Sequence, residues 1–270
     1  MFETCKYCGN QIEVVNKTYD LVECVNCYLI FSRKTYSQEE IQEVYDHLYN
    51  DENPQYKIHS IVEFEQLKKG KIQVGFNKSR LINKYLNNNS KVLEIGSGIG
   101  LMGCFIQRNF PKSSYTGVEI DEKVNEKAKS FDLDVHQGDF SIIENFNREY
   151  DVVIMWEVLE HIQDLKKCLS VINNKLVKGG VFIFSVPNYD KRFNYNSPKD
   201  KLFTSGPPIH LNFFRKKSIY KILNSEDFEI LSFRKKKLPY FNFKFFKQMF
   251  LKVLLGKYEG PTLFCVIRKK

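Results

Sequence analysis

The feature that most constrains the fold of this chain is an alternation of strand and helix patterns that begins near residue 91. Short apolar strand patterns occur at Lys91–Ile95, Tyr115–Ile120, Asp134–Gln137, Asp151–Met155, Val181–Val186, Phe228–Arg234 and Thr262–Arg268. Helical patterns lie between most of them, at Leu101–Asn109, Glu122–Phe131 and Leu165–Leu176. Such alternation predicts a mostly parallel sheet with helices on both faces. We therefore expect an α/β fold with a Rossmann-like sheet of seven strands.

Four of the seven cysteines form two Cys-x-x-Cys pairs near the N-terminus. Cys5 and Cys8 are separated from Cys24 and Cys27 by fifteen residues. This spacing lets two knuckles place four thiolates around one tetrahedral zinc ion. Because four protein ligands leave no open coordination position, we expect a structural zinc ribbon over residues 1–34. The remaining cysteines are expected to be small buried residues: Cys104, Cys168 and Cys265.

Two helical patterns separate the ribbon from the first strand of the α/β region. The segment Ser37-Gln38-Glu39-Glu40 predicts a helix start with a serine N-cap, and the helix pattern continues to Leu48. A second helix is predicted from about Ile58 to Leu86. We expect residues 35–88 to form a helical linker or lid beside the substrate pocket, and residues 89–270 to form the catalytic domain.

The turn after the first strand is rich in glycine. It reads Glu94-Ile95-Gly96-Ser97-Gly98-Ile99-Gly100, and glycines at such a turn let the backbone approach a ligand at the sheet edge. The glycines also fit the dinucleotide pattern G-x-G-x-x-G, so alone they leave NAD open. Glu119 ends the second strand, where it can accept hydrogen bonds from both hydroxyls of a ribose.

Further motifs follow the third and fourth strands. Asp139, in His136-Gln137-Gly138-Asp139-Phe140, can accept the adenine amino group, and Trp156-Glu157-Val158-Leu159-Glu160-His161 comes next in order. From Phe76 to Lys270 this series resembles class I S-adenosylmethionine-dependent methyltransferases of the ubiquinone-pathway and sugar-modifying kind. The ribbon resembles a zinc-binding module found on some of these enzymes. The resemblance implies these cofactor-binding residues: Glu94, Gly96, Ser97, Gly98, Gly100, Glu119, Ile120, Asp139, Phe140 and Trp156.

The catalytic candidates are His210, Glu157 and His161. The spacing of Glu157, Glu160 and His161 would put all three on one face of a helix. Together with His210 they predict a second divalent site for Mg²⁺ or Mn²⁺. That combination resembles magnesium-dependent enzymes that methylate ribose 2′-hydroxyls of small RNAs. A metal-free role of His210 as general base and a purely structural role both stay open.

The formal charge of +9 favours an anionic or nucleotide-linked acceptor, and nucleic acid is the weaker option. The main functional hypothesis is O-methylation of a small sugar or nucleotide-activated intermediate of surface-polysaccharide biosynthesis. The alternatives are N- or C-methylation of a nucleotide sugar, metal-dependent RNA ribose 2′-O-methylation, and a non-enzymatic zinc-ribbon module.

Two further segments bear on partners and location. We expect a substrate lid at Asn188–Gly206, with Arg192, Lys199 and Lys201 as candidate anion ligands. The Phe-rich segment 239–256 is predicted to pack on the sheet or on a partner subunit, which leaves a homodimer open, and a membrane-surface role is the alternative. Because no apolar run is long enough to span a bilayer and no signal peptide is evident, we expect a cytoplasmic protein.

Overall fold

Eleven strands and five α-helices form most of the described part of the computed structural model, together with two short 3₁₀ helices. The structure describes residues 1–37, 39–41, 43, 62–190, 206–224, 227–235, 254 and 260–270. The strands are β1 (Ile12–Asn16), β2 (Leu21–Cys24), β3 (Ile30–Ser32), β4 (Lys91–Ile95), β5 (Ser114–Glu119), β6 (Val135–Gln137), β7 (Tyr150–Trp156), β8 (Leu176–Pro187), β9 (Asn212–Phe213), β10 (Phe228–Lys235) and β11 (Thr262–Lys269). The helices are α1 (Phe76–Tyr85), α2 (Leu101–Asn109), α3 (Glu122–Lys129), α4 (Leu165–Lys175) and α5 (Lys216–Leu223).

The predicted seven-stranded, mostly parallel sheet is confirmed. Its strand order is β10-β11-β8-β7-β4-β5-β6, and the five strands β4 to β8 pair in parallel. β11 is antiparallel to both β8 and β10. β4 lies between β5 and β7, so the connections leave it in opposite directions. This reversal opens a crevice at the carboxyl ends of β4, β5 and β7.

The central strands are buried on both faces. In β7, Val153 and Met155 pack with the cluster that contains α4 and α5, whereas Val152 and Ile154 pack with α1, α2 and α3. Successive side chains of a strand point to opposite faces, so a continuous apolar run serves both layers. Packing on both faces of the sheet therefore explains the continuous apolar runs from which these strands were predicted.

The single helix predicted from Ile58 to Leu86 is wrong. Within the described residues, 62–68 are helical, 71–75 are in neither a helix nor a strand, and α1 begins at Phe76. Gly70 lies between them with a φ of +70°, a left-handed conformation that glycine adopts without strain and that commonly ends helices. The chain can therefore turn here instead of continuing one long helix.

The predicted helix start at Ser37 is confirmed. Ser37 Oγ accepts the backbone N–H of Glu40, and the Glu40 carboxylate accepts the backbone N–H of Ser37, which forms a capping box. The continuation of this helix to Leu48 lies outside the described residues. So do the three cations of the predicted lid and all of segment 239–256 except Leu254. Over the residues described, no helix is long and apolar enough to cross a membrane.

The N-terminal strands form a second, antiparallel sheet in the order β1-β2-β3-β9. Its fourth strand, β9, comes from a segment about 180 positions further along the chain. Phe31 pairs with Asn212 and Ile30 with Phe213. The N-terminal module and the α/β region therefore share a sheet, which the local sequence pattern did not indicate.

Candidate functional site

A cavity of about 530 Å³ lies at the carboxyl edge of β4, β5 and β7. Its size is within the range typical of small-molecule sites, and it occupies the switch point of the sheet. The cavity is lined by Ile41, Ile95, Gly96, Gly98, Val118, Glu119, Ile120, Gly138, Asp139, Phe140, Ser141, Trp156, Glu157, Val158, His161, Ile162, Gln163, Asp164, Lys167 and Ile209.

The glycine-rich turn forms one wall of this cavity. The backbone N–H groups of Gly96 and Ser97 both donate to the carbonyl of Val118, at 2.8 and 3.0 Å. Gly96 has a φ of +75°, and a Cβ added to it would lie 2.4 Å from Cγ2 of Val158. Position 96 therefore requires glycine for both its backbone conformation and its close contact.

Glu119 is oriented by two backbone donors at the end of β5. Its Oε2 accepts the N–H of Gly98 at 2.8 Å, and its Oε1 accepts the N–H of Asp121 at 3.1 Å. Each oxygen keeps a further lone pair, so the carboxylate can accept two hydroxyl groups of a ribose. Burial raises the pKa of Glu119, and the two backbone donors oppose that shift.

Glu94 lies behind the glycine turn and does not line the cavity. Its Oε2 accepts the hydroxyl of Tyr115 at 2.6 Å, and its side chain is almost fully buried. Burial raises the pKa of Glu94 to about 8, although the Tyr115 hydrogen bond and the charge of Lys78 lower it. Lys78, whose importance the sequence did not reveal, also lies 5.2 Å from the ring centroid of Trp156.

Asp139 and Trp156 stand on the cavity wall at the ends of β6 and β7. Oδ1 of Asp139 accepts the backbone N–H and the hydroxyl of Ser141, at 2.8 and 2.5 Å, which fixes the carboxylate at the start of a short 3₁₀ turn. Phe140 and Ile120 also line the cavity. An adenine ring and its amino group can be held by this combination of a fixed carboxylate and apolar walls.

The predicted helix that would align Glu157, Glu160 and His161 is wrong. Glu157 has a φ of +56°, and only Leu159–His161 forms a 3₁₀ turn. The left-handed conformation reverses the chain immediately after β7, which prevents a continuous α-helix. Glu157 is fixed in this strained conformation by Ser185, whose Oγ donates to Glu157 Oε1 at 2.6 Å.

Glu160, His161 and His210 converge behind the cavity wall, without Glu157. One ligand atom from each lies within 4.8 Å of the other two. His161 lines the cavity, whereas Glu160 and His210 are buried and do not line it. His161 Nδ1 donates to the carbonyl of Ile209 at 2.8 Å, and its Nε2 lies 3.9 Å from Glu160 Oε1. Burial lowers the pKa of His161 to about 4, so its ring is neutral at pH 7.

Several predicted residues have structural positions away from the cavity. Ser97 is buried, and Gly100 begins α2 with a φ of +82° and would contact Leu133 if it carried a Cβ. His136, which precedes Asp139 in the same motif but was not itself a predicted site residue, is exposed and forms a hydrogen bond with Asp134. Residues at the cavity that the sequence reasoning missed include Gln163, which exchanges hydrogen bonds with the backbone of Tyr36 at 2.7 and 3.0 Å.

The four N-terminal cysteines lie close together, as the spacing predicted. Cys5 Sγ is 3.6 Å from Cys27 Sγ, Cys8 Sγ is 3.5 Å from Cys24 Sγ, and all four lie within 4.8 Å of one another. The backbone N–H groups of Asn26 and Cys27 donate to Cys24 Sγ at 3.4 Å. Four mutually adjacent sulfurs with N–H donors fit the ligand set of a tetrahedral zinc ion.

Comparison with known proteins identifies the family of the α/β region. Residues 73–232 match a family model described as a methyltransferase domain. The chain belongs to this methyltransferase family. The methyltransferase has no match among curated protein sequences.

Solved structures share the fold of this methyltransferase at low sequence identity. Coclaurine N-methyltransferase bound to N-methylheliamine and SAH is 12% identical, with a TM-score of 0.55 and 71% of each chain covered. A putative S-adenosylmethionine-dependent methyltransferase from Listeria monocytogenes is 18% identical, with a TM-score of 0.53 and coverage of 71% of this chain and 97% of that one. The plantazolicin methyltransferase BpumL, in complex with a pentazolic desmethylPZN analog and SAH, is 15% identical, with a TM-score of 0.50 and coverage of 86% and 90%. The chain is thus a methyltransferase, and it shares the fold of these enzymes.

Proposed function

We propose that the methyltransferase holds the adenosine of S-adenosylmethionine between Glu119 and Asp139. The observation that carries this proposal is the pair of backbone donors, Gly98 and Asp121, that fixes the two oxygens of Glu119. A carboxylate that is already oriented can accept both ribose hydroxyls without losing further side-chain freedom. Trp156, Phe140 and Ile120 supply the apolar walls. Glu94 supports the turn beside the methionine part from behind, where its Oε2 accepts the hydroxyl of Tyr115.

The acceptor is proposed to bind beside Glu157 and His161, on the side of the cavity that Ile41, Gln163 and Asp164 also line. In-line transfer from a sulfonium requires an aligned acceptor whose proton is removed as the bond forms. His161 lines the cavity, and its Nδ1 donates to the carbonyl of Ile209, which fixes the orientation of the ring. A sugar hydroxyl must lose its proton in this step, and the ionisable side chains of Glu157 and His161 at the cavity support O-methylation.

His210 is proposed to work through His161, because it is buried behind that residue. The two rings pack edge to face with centroids 4.9 Å apart. In a metal-dependent version, Glu160, His161 and His210 would hold Mg²⁺ or Mn²⁺, which would acidify a bound hydroxyl. The hydrogen bond from His161 Nδ1 to a backbone carbonyl favours this version, because metal-binding histidines usually donate their other nitrogen in this way.

The substrate class is proposed to be a small sugar or a nucleotide-activated intermediate, as in surface-polysaccharide biosynthesis. The net charge of +9 supports an anionic acceptor. The same cavity would accommodate N- or C-methylation of a nucleotide sugar with a different proton acceptor. The test is transfer of labelled methyl groups from S-adenosylmethionine to a panel of nucleotide sugars. The same sugars without the nucleotide are the matched comparison. Labelling of none of them would contradict the substrate proposal.

A second candidate is ribose 2′-O-methylation of RNA, which the cluster of Glu160, His161 and His210 favours. RNA binding would release counterions from several phosphates, so it should weaken steeply as salt is raised. Short RNA belongs in the same labelling experiment. Labelled RNA together with unlabelled nucleotide sugars would replace the first candidate with the second.

We further propose that Cys5, Cys8, Cys24 and Cys27 hold one structural zinc ion. The proposed regions are a ribbon over 1–34, a linker over 35–88 that contributes Ile41 to the cavity wall, and a catalytic region over 89–270. Metal analysis of the purified chain should find about one zinc per molecule. Cys8→Ser should lose that zinc, whereas Cys104→Ser should retain it.

A further inference from the structure

The segment Ile209–Phe213, here called the bridge segment, connects the ribbon to the cavity. On its ribbon side, it contributes β9 to the antiparallel sheet. Phe31 pairs with Asn212, Ile30 pairs with Phe213, and the N–H of Ser32 donates to the carbonyl of Leu211 at 3.0 Å. Strand β3 of the ribbon therefore holds the bridge segment at Leu211, Asn212 and Phe213.

On its other side, the bridge segment holds the turn that carries His161. The N–H of Leu211 donates to the carbonyl of Glu160 at 2.7 Å. The side chain of Asn212, which is 2% exposed, donates to the carbonyls of Leu159 and Ile162, both at 2.7 Å. The carbonyl of Ile209 in turn accepts His161 Nδ1 at 2.8 Å. The position and tautomer of His161 therefore depend on where the bridge segment lies.

Additional contacts tie the ribbon to the same side of the enzyme. Glu23, next to the metal ligand Cys24, forms ion pairs with Arg215 at 3.1 Å and with Lys217 at 2.6 Å. The hydroxyl of Tyr7 donates to the carbonyl of Ile222 in α5 at 3.0 Å. These contacts place the metal knuckles directly against the chain that follows the bridge segment.

The half of the cavity that is proposed to bind the methyl donor, here called the donor half, is stabilised by other contacts. The acceptor half is the part beside Glu157 and His161. Gly96 and Ser97 are fixed by the carbonyl of Val118, and Gly98 is fixed by Glu119. These residues belong to β4, β5 and the turn between β4 and α2, whose pairing is internal to the parallel sheet. Loss of the ribbon sheet would therefore remove supports of the acceptor half while leaving these donor-half contacts in place.

We propose that metal loading of the four-cysteine cluster fixes the bridge segment and so positions His161 for the acceptor. This inference rests on the proposed zinc site and on the proposed role of His161. A ribbon of about thirty residues has only a small apolar core of its own, so a bound metal would contribute much of the stability of its knuckles. Without the metal, β3 would no longer be held in place beside β9. The bridge segment would then lose its hydrogen bond from the N–H of Ser32. Asn212 and Leu211 are then positioning residues for the acceptor half.

The test uses the full chain with zinc bound and after reversible removal of zinc by a chelator. Hydrogen exchange is followed at the Ser32 and Leu211 amides and, for comparison, at the amides of β4. S-adenosylhomocysteine binding is measured by calorimetry in both states. We expect exchange at Ser32 and Leu211 to accelerate about tenfold or more on zinc removal. The β4 amides should stay protected, the dissociation constant should change by less than about threefold, and zinc addition should reverse the effect.

Two variants separate metal loss from cysteine loss. Cys8→Ser removes a ligand and should reproduce the effect of the chelator, whereas Cys104→Ser keeps all four ligands and should match the wild type. Unchanged protection of the Leu211 amide after zinc removal would overturn the inference. Loss of S-adenosylhomocysteine binding at the same time as loss of that protection would also overturn it. A purified chain without zinc would overturn both this inference and the proposed zinc site, while retained cofactor binding would leave the methyltransferase proposal standing.

Discussion

The carboxylate of Glu119 accepts the backbone N–H of Gly98 at 2.8 Å, although the two residues are 21 positions apart in the chain. This hydrogen bond joins the glycine turn after β4 to the acidic residue at the end of β5. The turn and the acid therefore form one site, with the acid already oriented before a ligand binds. Each motif alone fits many nucleotide-binding proteins, and we propose that a ribose binds where the two motifs meet.

Glu119→Gln is expected to weaken binding of S-adenosylhomocysteine by about 10- to 100-fold. The substitution removes the charge that is proposed to accept the ribose hydroxyls, and hydrogen bonds to charged groups contribute roughly 1.5–3 kcal/mol. Calorimetric titration measures the dissociation constant directly. Glu126→Gln, an exposed residue of α3, is the matched control and should bind as the wild type does. Equal affinity in the two variants would exclude Glu119 from the ribose site.

Gly96→Ala should damage both stability and cofactor binding, whereas Gly179→Ala should affect stability alone. Both glycines have positive φ, +75° and +79°, so either substitution carries a backbone penalty of about 1–2 kcal/mol. Only at Gly96 would the new Cβ collide, 2.4 Å from Val158, which lines the cavity. Thermal unfolding and calorimetry on both variants test this expectation. Similar losses of cofactor affinity in both would contradict a specific steric role of Gly96.

The contribution of Glu94 to the stability of the free enzyme should fall as the pH rises from about 4.5 to about 8. Burial raises the pKa of Glu94 in the folded state to about 8, so folding favours the protonated carboxyl. That stabilisation is complete below the unfolded pKa of 4.5 and is lost as the pH rises through the folded pKa. The free energy of unfolding of wild type minus that of Glu94→Gln should fall across this window in denaturant titrations. A difference that is independent of pH would show that Glu94 is ionised throughout.

Activity measurements can distinguish a metal-dependent role of Glu160, His161 and His210 in methyl transfer from a metal-free role. If the cluster holds a divalent ion, enzyme depleted of Mg²⁺ and Mn²⁺ while its zinc is retained should be inactive and should recover when either ion is returned. His210→Ala should then raise the ion concentration needed for half-maximal activity, while the exposed His136→Ala should not. Full activity without added ion, with activity lost in His210→Ala, would favour metal-free proton transfer.

Much of the α/β region followed from local sequence patterns. The apolar runs of β4, β7 and β8 are covered on both faces, so the pattern that predicts a strand is the same pattern that packing requires. The bounds predicted for α2, Leu101–Asn109, agree with the structure. The convergence of the four cysteines was also predictable, because two Cys-x-x-Cys turns leave few other arrangements.

Other features depend on contacts that local patterns do not encode. The two-residue strand β9 exists because it pairs with β3, and a two-residue segment has no periodicity to detect. Glu157 has the sequence spacing of a helical residue, but its contact with Ser185 fixes it in a left-handed conformation. The burial of His210 behind His161 likewise follows from the fold of the bridge segment.

The central claim is that the crevice at β4, β5 and β7 binds S-adenosylmethionine, and calorimetric titration of S-adenosylhomocysteine into the full chain tests it most directly. We predict one binding site per chain, competition by S-adenosylmethionine, and weaker binding in Glu119→Gln. NAD, which the glycine pattern alone also fits, should show no binding. Binding of NAD with no binding of S-adenosylhomocysteine would contradict the account.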